Sequence, residues 1–226
     1  MTELTFRDKL VSRFTTPDCL GHNLMTPICV SKENKTLYFH IAKTGGSSIA
    51  ALLRANNLDD GVLSNKYLGL DEKVSYFSEV ADEWESYYKF TFIRNKYDLL
   101  ISLYNMDVRL NGKMSLDSNV TFEGFIRDHV GCTNTLKNEG LYNSLIDQYY
   151  LTHLDGQPLY DFVGTLENFD SDLDVVCQRL QIENTQYREN VGAYDKSKKD
   201  GYYTEELREN VRAKFPEEFK HFGWGP

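Results

Sequence analysis

Lys43, Thr44, Gly45, Gly46, Ser47 and Ser48 stand in a row, and together they have the chemistry to surround an anion. Gly45 and Gly46 lack a Cβ, so their backbone can take positive φ and their amides can converge where larger residues would collide. Lys43 adds a full positive charge, and the two serines add hydroxyl donors. Upstream, Thr36 to Ile41 is β-branched and aromatic, as a short buried strand is; downstream, Ile49, Leu52 and Leu53 recur at helical spacing. The order is strand, tight turn, helix, with Ser47 or Ser48 opening the helix. Its first amides lack intrahelical partners and point toward the same anion. The nucleotide loop G-x-x-x-x-G-K-[ST] carries its lysine after the last glycine. Here Lys43 precedes the glycines, so an ordinary ATP or GTP site is a poor match. Taken alone, the turn also fits a plain Gly-Gly connection.

A second segment, FTFIRNKYDLLISLY from Phe90 to Tyr104, repeats the order. Its β-like run ends at Arg94, and Leu99, Leu100, Leu103 and Tyr104 then share one helical face. Asn95 or Asp98 has the chemistry to start that helix. Arg94 is thus placed at the carboxyl end of a strand, and Ser102 about two turns into the following helix. A guanidinium that stays charged and a hydroxyl suit a terminal phosphate, although singly each also suits a surface ion pair or a helix flank.

The loop HIAKTGGSS and the segment FTFIRNKYDLLISLY together resemble the sulfotransferase superfamily, most nearly the carbohydrate sulfotransferases of sulfotransferase family 2. That group reads much like HIPKTGGTS and FxFVRNPYDRLVSxY at these places. The likeness extends from about Thr36 to Trp224, through a GRFEN-like element at Gly164 to Asn168 and a basic segment before a Tyr-Tyr-initiated helix. It implies a P-loop-like three-layer α/β fold with a mainly parallel central sheet flanked by helices. It implies that Lys43, Thr44, Gly45, Gly46, Ser47 and Ser48 bind the 5′-phosphosulfate of 3′-phosphoadenosine 5′-phosphosulfate (PAPS), and that Arg94 and Ser102 bind its 3′-phosphate. Lys196, Ser197 and Lys198 either fold over the nucleotide or form a solvated basic turn.

The reaction implied is transfer of a sulfuryl group to an acceptor hydroxyl or amine, without a metal, releasing adenosine 3′,5′-bisphosphate. Lys43 and the turn amides would meet the charge that builds on the departing phosphate oxygen. A general base must take the acceptor's proton. Related enzymes often carry a histidine, or in some branches a glutamate, for this between the two motifs, and this chain has no histidine between Ala42 and Arg94. His40 is the nearest candidate. Asp71, Glu72, Glu79, Lys66 with a lowered pKa, and the remoter His129 and His153 are the others. Three departures from the family pattern stand out: Ala42 and Lys96 replace prolines, and Thr165 replaces an arginine that bears on the acceptor side. Carbohydrate is the leading acceptor class by resemblance, with a small hydroxylated metabolite beside it. Tyr142, Tyr149, Tyr150 and Tyr160 lie in the acceptor half, where a core role outweighs sugar stacking.

Composition bounds the rest. With 226 residues and 41% hydrophobic content, residues 1–226 are expected as one sulfotransferase domain, with 1–35 an amino-terminal extension of uncertain role. Asn111–Val120 and Thr133–Gly140 read as surface loops. The net charge of −9 argues against nucleic acid as partner. Cys19, Cys29, Cys132 and Cys177 form no C-x-x-C pair, so a metal site is not expected. No segment reads as a signal or a membrane span, which gives an expectation of a cytoplasmic chain with reduced thiols. Golgi relatives carry an anchor, so the resemblance points to a bacterial or viral member or a shortened chain. Oligomeric state is unreadable. Two other functions stay open: a P-loop phosphotransferase, and a noncatalytic nucleotide- or glycan-binding protein that has lost its base.

Overall fold

Alternation along the strands sets the layers. In β2 (Thr36–Phe39) the side chains of Leu37 and Phe39 enter one apolar cluster and Tyr38 enters another, so both faces of the sheet are covered. This computed structural model describes residues 4–15, 29–63, 67–109, 120–130, 147–185 and 201–225. They divide between two compact units, one from Met1–Ile93 and Thr152–Asn190, the other from Arg94–Leu151 and Val191–Pro226.

The first unit holds a four-stranded sheet in the order β1 (Cys29–Ser31), β2, β3 (Tyr88–Ile93), β6 (Phe162–Thr165). Strands β2, β3 and β6 run parallel, and β1 pairs antiparallel with β2. Helices α1 (Phe6–Thr15) and α3 (Leu70–Asp82) cover the Leu37 face through Leu10, Phe77 and Val80. Helices α2 (Gly46–Ala55) and α6 (Phe169–Leu180) cover the Tyr38 face through Ile49, Leu52, Leu53, Leu173 and Val176. The three-layer α/β arrangement with a mainly parallel sheet is therefore present in this unit. Between β3 and β6 in sequence lies a small hairpin, β4 (His153–Leu154) with β5 (Gln157–Pro158), turned through left-handed Asp155 and Gly156. Residues before Thr36 supply α1 and the edge strand β1. Sequence periodicity did not mark β1, which is only three residues long.

The second unit is helical: α4 (Lys96–Arg109), a turn at Phe122–Gly124 continued by a π turn at Phe125–His129, α5 (Gln148–Thr152, whose last residue falls in the first unit), α7 (Glu205–Lys214) and α8 (Pro216–Phe222). Leu99, Leu100, Leu103, Phe125, Ile126, Val211 and Phe215 form its core. Helix α7 follows Tyr202 and Tyr203 as expected, and Thr204 caps it by accepting from the Leu207 amide at 3.2 Å. The expected loops at residues 111–119 and 133–140 lie outside the described residues. Among the described residues no helix is long and apolar enough to cross a membrane.

Candidate functional site

The Lys43–Ser48 turn follows β2 after His40, Ile41 and Ala42. Thr44 is fully buried, and its hydroxyl donates to the Ile41 carbonyl at 2.7 Å, which closes the turn. Its side chain therefore faces inward, and the main-chain amide is what Thr44 can offer an anion. Lys43 and Gly45 both take left-handed backbone, with φ of 68° and 87°. Helix α2 opens at Gly46 with Gly45 as its cap, one or two residues before the serines that the sequence reading chose. Left-handed Gly45 leads straight into helical Gly46, and that alternation turns successive amides to one side. The Gly45 carbonyl accepts from the amides of Ser48 (3.1 Å) and Ile49 (3.3 Å). Gly45 offers no side-chain cap to the amides before them. Ser47 is partly exposed and Ser48 is buried.

Neighbours enforce both glycines. A Cβ on Gly46 would fall inside the His40 imidazole, and one on Gly45 would stand 2.7 Å from Phe169 and 3.2 Å from Leu166. His40 also lies parallel to Tyr38, with ring centroids 6.4 Å apart. The base candidate from the sequence is thus part of the packing that shapes the helix start. Leu166 belongs to the GRFEN-like element and Phe169 directly follows it, where β6 has ended and α6 opens. There the Leu166 amide donates to the Ile93 carbonyl at 2.8 Å, and the Thr165 amide and hydroxyl donate to Asp172 at 2.7 and 3.1 Å. Thr165, standing where the family carries arginine, closes this turn. Sequence reading missed the bracing role of Phe169, which has no local signature.

In the second unit, Arg94 directly follows β3, and Asn95 caps α4 by accepting from the Tyr97 amide at 3.0 Å. Arg94 is partly exposed, and Ser102 is buried on α4. Lys96 opens the helix at the position where proline is favoured, so losing the family proline leaves helix geometry intact. Its side chain turns inward instead: it is fully buried, with Nζ 2.7 Å from Glu218 Oε2 and 4.0 Å above the Phe215 ring. Burial pushes Glu218 above the ordinary carboxylate range, against the pull of Lys96, and burial holds Lys96 below the ordinary amine range.

Three of the remaining base candidates, Glu72, Glu79 and His153, have other engagements. Glu72 closes the start of α3 by accepting from the Gly69 amide at 2.8 Å, and Glu79 pairs with Lys32. Asp71 is exposed on the first turn of α3. His153 is buried, with Nδ1 2.9 Å from the Thr152 hydroxyl. Tyr160 is buried against Phe39, Tyr149 meets His221 edge-on at 5.3 Å, and Tyr150 is exposed. Lys66, Tyr142, Lys196, Ser197, Lys198, Cys19, Cys132 and the side chain of His129 lie outside the described residues. Cys29 and Cys177 are buried free thiols. Among the described residues, no group of three or more His, Cys, Asp or Glu is arranged to hold a metal ion.

The Lys43–Ser48 turn thus joins β2 to α2 within a three-layer α/β unit. A family model described as the sulfotransferase family matches residues 26–223. The chain belongs to the sulfotransferase family. The match takes in the Lys43 turn and the Arg94 segment. Neither the curated proteins nor the solved structures gave a match.

Proposed function

We propose that this sulfotransferase takes its sulfuryl group from PAPS and passes it to a hydroxyl or amine of a glycan or a small hydroxylated metabolite. The observation that carries the reading is the turn itself, where left-handed Lys43 and Gly45 lead into a helix whose cap residue, Gly45, has no side chain to offer its first amides. Such a start attracts a phosphate, and His40, Phe169 and Leu166 pack so closely on Gly45 and Gly46 that a Cβ at either would shift the turn. In the reaction the bond between sulfur and the bridging phosphate oxygen breaks, and its electron pair stays on that oxygen. The acceptor oxygen or nitrogen bonds to sulfur, and its proton passes to a base. Lys43 and the turn amides bind the charge left on phosphate; His40, beside the turn, is our choice of base.

Arg94 and Ser102 select a donor bearing a 3′-phosphate, a role that rests on the family's motif pattern. The same pattern gives Lys196, Ser197 and Lys198 to the nucleotide, and we place the protein in the cytoplasm, acting without a metal. Incubation of the chain with radiosulfur-labelled PAPS and a panel of sugars, oligosaccharides and phenols tests the reading. Label is expected on at least one acceptor, with one adenosine 3′,5′-bisphosphate released per transfer and a loss of roughly a hundredfold or more in Lys43→Ala. Tight nucleotide binding with no transfer to any acceptor would favour a noncatalytic binding protein and sink the catalytic reading.

A further inference from the structure

We infer that Gln148, held in place by Glu218 and Lys96, positions Arg94 for the donor's 3′-phosphate; the inference rests on the function proposed above. The β-ladder between β3 and β6 ends at Ile93 and Thr165, so Arg94 stands one residue past the last ladder pair. The Gln148 side chain takes up its main chain there. Its Oε1 accepts from the Arg94 amide at 2.7 Å, and its Nε2 donates to the Arg94 carbonyl at 2.8 Å. One carboxamide thus satisfies both main-chain groups of the residue, as a neighbouring strand would.

The carboxamide is in turn held by a buried carboxylate. Gln148 Nε2 donates to Glu218 Oε1 at 2.5 Å, and the Gln148 amide donates to Glu218 Oε2 at 3.0 Å. Lys96 Nζ completes the set at 2.7 Å from Oε2, and Trp224 Nε1 reaches Oε1 at 3.4 Å. Gln148, Glu218 and Lys96 are 0%, 1% and 0% exposed. A buried ion pair adds little stability over an apolar replacement of equal volume, so orientation is the gain that accounts for it here. What it orients is Gln148, which fixes the Arg94 main chain, while the Asn95 side chain fixes the start of α4 that follows. A guanidinium on a fixed backbone loses less freedom when it closes on a phosphate.

Calorimetry on the full chain with adenosine 3′,5′-bisphosphate and with adenosine 5′-monophosphate tests this. Wild type should prefer the bisphosphate, Arg94→Ala should lose the preference, and Gln148→Ala should weaken bisphosphate binding roughly tenfold with monophosphate binding unchanged. Because Gln148 acts through Arg94, the double variant should bind no worse than Arg94→Ala alone. A general loss of structure would instead weaken both ligands. If wild type shows no preference, the 3′-phosphate role of Arg94 fails and the inference falls with it. If Arg94→Ala loses the preference and Gln148→Ala keeps it in full, the positioning role alone is overturned. Should Gln148→Ala not fold, Gln148→Met repeats the test, and wild type offers a measurement that needs no variant. The Arg94 amide should exchange with solvent as slowly as those of β3; exchange at the rate of open chain overturns the inference.

Discussion

The imidazole of His40 lies across Gly46 so closely that a single methyl group on the glycine would occupy the ring's own space. The first residue of α2 and the last residue before Ile41 are therefore fitted to each other. Neither can change size without moving the turn that carries Lys43.

Gly46→Ala should for this reason displace His40 or unwind the first turn of α2. We expect a stability loss of about 1–3 kcal/mol, the usual cost of overpacking, with nucleotide binding weakened. His40→Ala in the same chain should recover much of the stability, because the small side chain leaves room for the methyl. Chemical denaturation of the two single variants and the double variant checks this; equal losses in Gly46→Ala with and without His40 would contradict the contact.

Gly45 answers to a different constraint. An alanine there must hold left-handed backbone at a cost of about 1–2 kcal/mol, whatever surrounds it. The 2.7 Å approach to Phe169 adds to that cost. Phe169→Ala should therefore relieve only part of the Gly45→Ala defect, a contrast with the fuller rescue at Gly46 that unfolding midpoints would reveal.

The buried Lys96–Glu218 pair makes stability depend on pH. Folding raises the pKa of Glu218, chiefly by burial, and Lys96 counters the rise. Lys96→Met removes that counterweight and leaves a buried carboxylate uncompensated, at a cost of about 3–5 kcal/mol near neutral and higher pH. The folded variant then takes up a proton that the unfolded chain, with its ordinary carboxyl, does not yet bind. Stability conferred by that proton is present below the unfolded value and lost as pH rises through the folded one. The deficit of Lys96→Met against wild type should accordingly shrink as pH falls from about 8 toward 5, and a deficit that grows on acidification would contradict the assignment.

Local pattern carried a reading of the fold as far as local pattern reaches. The β-branched run before Lys43 became β2, and the spacing of Ile49, Leu52 and Leu53 became the buried face of α2. Arg94 emerged directly after a strand and Asn95 as a cap, both readable from neighbours in sequence. What was hidden depends on residues far apart in the chain. Nothing near Gly45 announces Phe169, and nothing near Arg94 announces Gln148 or Glu218, since a polar residue does not encode its partner. Lys96 shows the limit best: beside the family pattern it looked like a lost proline, and in the fold it is half of a buried ion pair. Serine is a common cap, yet left-handed Gly45 takes that place at the start of α2.

Binding of adenosine 3′,5′-bisphosphate in the presence of a chelator, set against binding of ATP with magnesium, decides whether the Lys43 turn serves sulfuryl transfer from PAPS. The bisphosphate should bind at least tenfold more tightly, and Lys43→Ala and Arg94→Ala should each weaken it. Tight binding of magnesium ATP with little or none of the bisphosphate would contradict the account and mark the turn as the site of a phosphotransferase.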